Sequence, residues 1–232
     1  MYQEIVDLSL PVTHGLKTFP SHPPAVVMDF VTHEFSAPRY RPPCEGFATK
    51  LLVVSDHVAT HVDAPLHFVK GGADVASVPL QRMLGRAICL DFADKPARDF
   101  VTAAMIERRL REKGLALRRG DRVLIRSWPG AWAEEGFYEC QGPDESAGRL
   151  LLEAGASFMG VDLALADVAG DMRRPLHMML LGAGVVLAEN LVNLDRLPQD
   201  RAFLFMALPL RIAGGTGSPV RAVAILDAEV EA

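Results

Sequence analysis

Cysteine is scarce in this 232-residue chain, and the three present, Cys44, Cys89 and Cys140, form no CxxC pair. A dispersed, odd-numbered set excludes a disulfide framework and a cysteine-built zinc knuckle, and free thiols fit a reducing compartment. Excess positive charge is missing as well. Lys and Arg number 24 against 29 Asp and Glu, a formal net charge of −5, which argues against nucleic acid as a partner because phosphates call for a basic face. No apolar run approaches the ~20 residues of a membrane span. Residues 1–7 lack the basic start and apolar stretch of a secretory leader. The expected location is cytoplasmic, and the expected partner is a small molecule.

Two signatures of other chemistries are also lacking. Gly215-Thr-Gly-Ser218-Pro does not make the Gly-x-Ser-x-Gly elbow that a serine hydrolase needs. Gly214-Gly-Thr-Gly217 is not followed by the Lys-Ser/Thr of a phosphate loop, and it reads as a connection between strands. Without repeats, low-complexity tracts or a linker, residues 1–232 read as one domain, half hydrophobic and long enough to bury a full core.

What the chain does have is concentrated in His57-Val-Ala-Thr-His61-Val-Asp63-Ala-Pro-Leu-His67, which holds three of its seven histidines. Imidazole nitrogen and carboxylate oxygen are the donors favoured by zinc, manganese and iron. His57, His61 and Asp63 are spaced to converge on one cation, and His67 lies close enough to carry protons. Ala64-Pro65 blocks an ordinary amphipathic helix here, so the spacing is not a by-product of helical periodicity. Two protein imidazoles and one carboxylate leave a cation open positions, as catalysis requires.

Around this motif the pattern alternates. Residues 4–12 and the β-branched, apolar residues 47–54 read as strands, the second buried and delivering the chain into His57. Between them lies a proline-rich stretch over 19–43, with a short strand at 26–30, of a length that usually carries function or reaches a neighbouring subunit. Its aromatics, with Trp128 and Trp132, are candidate pocket walls, and Arg39 and Arg41 candidate receivers of a carboxylate. Thr102 caps a helix that Gly114 ends, and Asp144 opens a second. Strands are expected at 86–92, 122–127, 157–161, 203–212 and 220–226. Downstream, His177 and Glu189 supply the imidazole and carboxylate that a second cation would need. Glu189 ends an apolar run, where a carboxylate is partly buried and therefore paired.

Residues 57–68 resemble the His-x-Gly-Thr-His-x-Asp-x-Pro-x-His-Phe signature of the cyclase family of metal-dependent hydrolases, which includes bacterial kynurenine formamidases and isatin hydrolases. Glu189-Asn-Leu-Val-Asn-Leu, Ala207-Leu-Pro-Leu and Gly217-Ser-Pro-Val-Arg221 are similar to later family patterns. The resemblance implies a single α/β domain of swivelling β/β/α type with a β-rich mixed-sheet centre. It implies two divalent ions per subunit, zinc or manganese, held by His57, His61, Asp63, His177 and Glu189, with Asp63 bridging. It also implies His67 as general acid/base, and a homodimer or homotetramer whose subunits can help to wall the pocket. The implied reaction is hydrolysis of an amide-type C–N bond in an aryl formamide or cyclic amide. A metal-dependent cyclase or dehydratase, or a metal-binding protein without catalysis, are the alternatives. Three departures stand out: Ala59 replaces the usual Gly, Phe19-Pro-Ser-His22 replaces Trp-Pro-Gly-Asp, and the central Asp-Thr-x-Ser-x-Asp is Asp162-Leu-Ala-Leu-Ala-Asp167.

Overall fold

In a computed structural model that describes residues 4–168 and 170–226, the elements run in chain order. They are β1 (Ile5–Asp7), β2 (Val26–Val31), α1 (His33–Ser36), β3 (Thr49–Val53), β4 (His61–Asp63), β5 (Leu84–Asp91), α2 (Ala103–Lys113) and β6 (Arg122–Arg126). Then come α3 (Glu145–Glu153), β7 (Phe158–Val161), α4 (Pro175–Gly182), β8 (Val186–Glu189), β9 (Phe203–Met206), β10 (Gly217–Pro219) and β11 (Val223–Ile225). Nine of these strands form one mixed sheet in the order β1-β11-β9-β5-β6-β7-β8-β4-β10. The centre, β5 to β8, is parallel, and antiparallel strands flank it on both sides. This is the α/β, mixed-sheet fold that the resemblance implies.

The parallel centre is apolar on both faces, as a sheet covered on both sides must be. Ile88, Leu90, Val123 and Ile125 pack with Ile106 of α2, Leu151 of α3 and Leu180 of α4. Ala87, Cys89, Leu124 and Phe158 face the other way, into a core with Phe203, Phe205 and Leu194. The helix ends follow the local chemistry. Thr102 accepts the Met105 amide, Gly114 ends α2 in the left-handed region, and Asp144 accepts the Ala147 amide at the start of α3.

Three expectations need correction. The strand expected over 47–54 is not buried: β3 is exposed along its whole length and pairs only with β2, in a two-stranded ribbon apart from the main sheet. An apolar β-branched run marks strand propensity and does not by itself place the strand in the core. The strand over 4–12 is only β1, after which the chain keeps a single bridge from Ser9 to Leu191. The strand over 203–212 stops at Met206.

Candidate metal centre

The cluster lies at the carboxyl ends of the parallel strands. There, β4 runs antiparallel to β8 with His61 opposite Glu189 and Asp63 opposite Leu187. Directly paired residues, and residues two apart on a strand, share a face. This register therefore sets His61, Asp63 and Glu189 side by side, although the last is far away in sequence. His177 enters from the first turn of α4, and His57 and His67 from the segments before and after β4. All five expected ligands are buried: His57 (5 %), His61 (3 %), Asp63 (1 %), His177 (1 %) and Glu189 (4 %).

Three imidazoles are arranged alike, each with one nitrogen tied outside the cluster and the other turned to the carboxylates. His57 Nε2 meets Thr216 Oγ1 at 2.8 Å, and that hydroxyl gives its own proton to Asp56 Oδ2, so Nε2 is the donor. His57 Nδ1 faces Asp63 Oδ1 at 2.7 Å. His61 Nδ1 donates to the Ala59 carbonyl at 3.0 Å, leaving Nε2 3.4 Å from Asp63 and 3.6 Å from Glu189. His177 Nδ1 donates to Asp167 Oδ2 at 2.6 Å, leaving Nε2 3.3 Å from both Asp63 and Glu189. Anchoring the remote nitrogen in this way fixes tautomer and ring orientation around a metal. Asp63 Oδ2 is buried, and among the described residues only the loosely placed His177 Nε2, 3.3 Å away, faces it, a position that a cation would satisfy.

The donors fall into two overlapping sets that can hold an ion, His57–Asp63–His67 and His61–Asp63–Glu189. Asp63 belongs to both, as a bridging carboxylate would.

Electrostatics of the metal-free cluster follow from that packing. Burial pushes His61 down, but the hydrogen bond to Asp63 and the charges of Asp63 and Glu189 outweigh it and raise the imidazole to about 9. Burial likewise opposes the rise of His177, which hydrogen bonds to Asp167, Asp63 and Glu189 carry well above 6.5. Asp63 moves the other way: burial raises it, yet bonds from His177, His57 and His61 hold it well below the usual carboxylate range. His67 differs from all of these. Burial and the neighbouring imidazoles of His57, His177 and His61 lower it to about 4 against the pull of Asp63, so it is a neutral imidazole at pH 7. Its ring stacks on His57 at 3.9 Å between centroids. Among the described residues no hydrogen bond holds its nitrogens, and they are free to exchange protons.

A cavity of about 170 Å³ opens over the cluster, walled by Phe19, His22, His67, Phe68 and Arg174. The site contains residues that the sequence reading passed over. Asp56 and Thr216 clamp His57. Asp167 holds His177 and also accepts the Leu176 and His177 amides at the start of α4. His22, whose buried Nδ1 has no hydrogen-bond partner, faces His57 at 6.2 Å between ring centroids. The only signal for His22 was its place in the altered Phe19-Pro-Ser-His22 segment. The paired aspartates of the central pattern divide their work, since Asp162 accepts the Ser127 and Trp128 amides as scaffold while Asp167 serves the site. Other candidates do not reach the cavity. Arg39 stacks on Phe35 and Phe47, and Trp132 packs on Phe137 and donates to Asn190 Oδ1.

Comparison with known proteins agrees with this geometry. Residues 6–168 match the model of the Cyclase family, described as "Putative cyclase". A kynurenine formamidase of Salinibacter ruber is 32% identical over 177 residues, 74% of this chain and 77% of that protein. An isatin hydrolase of Roseibium aggregatum is 30% identical over 203 residues, covering 78% and 75%. Among solved structures, an isatin hydrolase bound to the product analogue thioisatinate superposes with a TM-score of 0.81 at 26% identity, covering 97% of this chain and 92% of that one.

Proposed function

The chain belongs to the cyclase family, and on that premise we propose that it is a metal-dependent hydrolase cleaving the amide-type C–N bond of an aryl formamide or cyclic amide. The observation that carries the metal is the common arrangement of His57, His61 and His177, each anchored at one nitrogen and facing Asp63 with the other, His61 and His177 facing Glu189 as well. These residues fit two divalent ions, zinc or manganese, because imidazole and carboxylate donors suit both. Bound there, the ions supply Lewis acidity toward a carbonyl oxygen and lower the pKa of water toward ~7.

The chain's own part is positioning and proton transfer. His67, neutral at pH 7 and on the cavity wall, takes the proton of the attacking water and passes it to the leaving nitrogen. Thr216 with Asp56, the Ala59 carbonyl, and Asp167 keep the three ligand rings in place. Phe19 and Phe68 give the cavity apolar walls for a ring-bearing substrate. The isatin hydrolase and kynurenine formamidase relatives support amide hydrolysis over cyclisation or dehydration.

We also propose a homodimer or homotetramer in the cytoplasm. The β2–β3 ribbon supports association: Phe30 (71 %), Leu52 (58 %) and Val53 (58 %) are exposed on a two-stranded unit that is marginal by itself in water. The three free cysteines fit a reducing compartment. Metal analysis, with hydrolysis of N-formylkynurenine and isatin before and after chelation, tests the function. Close to two equivalents and restorable cleavage are expected. Metal-independent cleavage, or a metal-loaded protein inert toward every amide and lactam, would overturn it.

A further inference from the structure

A second cleft, of about 830 Å³, opens at the other end of the sheet, where β5 to β8 begin. Arg82, Arg86, Arg118, Arg119 and Arg122 line it, and Asp121 is the one acid among the described residues that do so. In a chain of net charge −5 this is a local reversal of sign. The aspartate is already committed, accepting Arg86 Nη1 and the Arg118 amide.

Helix carboxyl ends attract cations, and part of the cluster is explained in that way. Arg82 Nη1 donates to the Gly184 carbonyl just beyond α4, and Arg122 Nε donates to the Arg82 carbonyl at 3.2 Å. The remainder is not explained. The terminal nitrogens of Arg122 and the side chains of Arg118 and Arg119 have no hydrogen bond or ion pair among the described residues. Arg122 is nonetheless only 8 % exposed, and a charge so far from water is costly unless an opposite charge meets it.

The backbone is shaped around these groups. The Arg122 guanidinium lies across Gly85, where a methyl group would sit 2.4 Å from Nη1, and Gly85 has φ +141°. Arg82 lies over Gly184 (φ +76°), where a methyl group would sit 2.9 Å from its Nη1. Two glycines at positive φ thus keep the space that two guanidinium groups occupy. Leu152, Ala156, Ala183 and Val185 form an apolar side wall, and the volume exceeds what a bare oxyanion fills.

We propose that this cleft binds a small organic phosphate, its phosphate group among Arg118, Arg119 and Arg122 and its apolar body along Leu152, Ala156 and Val185. Several guanidinium groups lining one cleft suit a dianion with three acceptor oxygens better than a single carboxylate. The site lies away from the metal centre, at the far end of the same strands.

Calorimetric titration of the metal-loaded protein at constant ionic strength tests this, using phenyl phosphate, inorganic phosphate and benzoate. Phenyl phosphate is expected to bind saturably and about 10-fold or more tighter than the other two. The double variant Arg118→Ala/Arg119→Ala, altered only at exposed positions, is expected to weaken that binding about 10-fold while metal content and thermal unfolding stay unchanged. Absence of saturable binding would overturn the proposal. Binding that survives in the double variant would assign the anion to the metal centre instead. Inorganic phosphate binding as tightly as phenyl phosphate would reject an organic ligand.

Discussion

The two ends of the sheet hold buried charge in opposite ways. At the carboxyl ends of the strands, Asp63 faces three imidazoles and Glu189 two of them, so the metal-free cluster balances its charge internally. At the amino ends, five arginines share one aspartate, and the balance is left to solvent or a ligand. A self-balanced cluster whose buried Asp63 Oδ2 is met only by His177 Nε2 at 3.3 Å is one in which cations can take the place of protons. An unbalanced cluster asks for an anion. What a site binds thus follows from which charge the protein has left out.

Replacements that unbalance the first end test this most severely. Asp63→Asn removes the carboxylate common to both candidate ion sets; bound metal is expected to be lost and kcat/KM to fall by about three orders of magnitude or more. Elemental analysis and kinetics read both, and a variant that kept its metal would break the bridging assignment. His67→Ala leaves the five expected ligands intact. Turnover should drop about 10²–10⁴-fold at unchanged metal content, and parallel loss of metal would make His67 a ligand instead, as the His57–Asp63–His67 grouping allows. At the other end, Asp121→Asn leaves Arg86 without its carboxylate. Stability should fall by about 3–5 kcal/mol with metal content unaltered, measured by denaturant unfolding; a smaller loss would mean that water already neutralises the cluster.

Titration separates the metal-free and loaded forms. His61, at about 9, and His177, also raised, hold their protons more tightly folded than unfolded. Their contribution is complete below pH 6.5 and is lost as pH climbs through about 9. Asp63 is depressed, so its contribution is present above the ordinary carboxylate range and is lost only in acid. The metal-free protein should therefore lose on the order of 2 kcal/mol between pH 6.5 and 9. The loaded protein should not, because the ions displace those protons, and metal affinity should rise with pH over the same window. Thermal melts of both forms check it, and parallel curves would deny that protons and metal compete for the same nitrogens.

The sequence showed some of this and concealed the rest for physical reasons. His57 to His67 was legible because its donors lie within one short segment. His177 and Glu189 were legible as donors that a second cation would need, but not as neighbours of the first cluster, since the β4–β8 register that sets Glu189 opposite His61 is a long-range pairing and His177 arrives on a separate helix. The Thr216–Asp56 clamp joins residues 160 apart, and no local pattern encodes it. Residues 47–54 read as buried because an apolar, β-branched run marks a strand without fixing which surface, core or solvent, it meets. The arginine cleft is spread over four strand beginnings and exists only once the topology is known.

The smallest test concerns the backbone itself. Both ends use positive φ, but Gly85 and Gly184 supply it at the arginine end, whereas Ala59 takes φ +55° beside the histidines. An L-residue in that region costs about 1–2 kcal/mol, and Ala59→Gly would recover it. Two terms oppose the gain. Glycine adds freedom to the unfolded chain, about 0.4–1 kcal/mol. The Ala59 methyl, 1 % exposed among Val58, Ala25, Leu10 and Leu16, contributes about 0.8 kcal/mol by burial. The three nearly cancel, so the expected change is within about 1 kcal/mol, with metal content intact because the Ala59 carbonyl still receives His61 Nδ1. A larger gain would show strain dominating at the metal centre. A clear loss would show that the methyl packs too well to remove, and that alanine stands there for the same reason glycine stands at 85: the side of the backbone each presents is already spoken for.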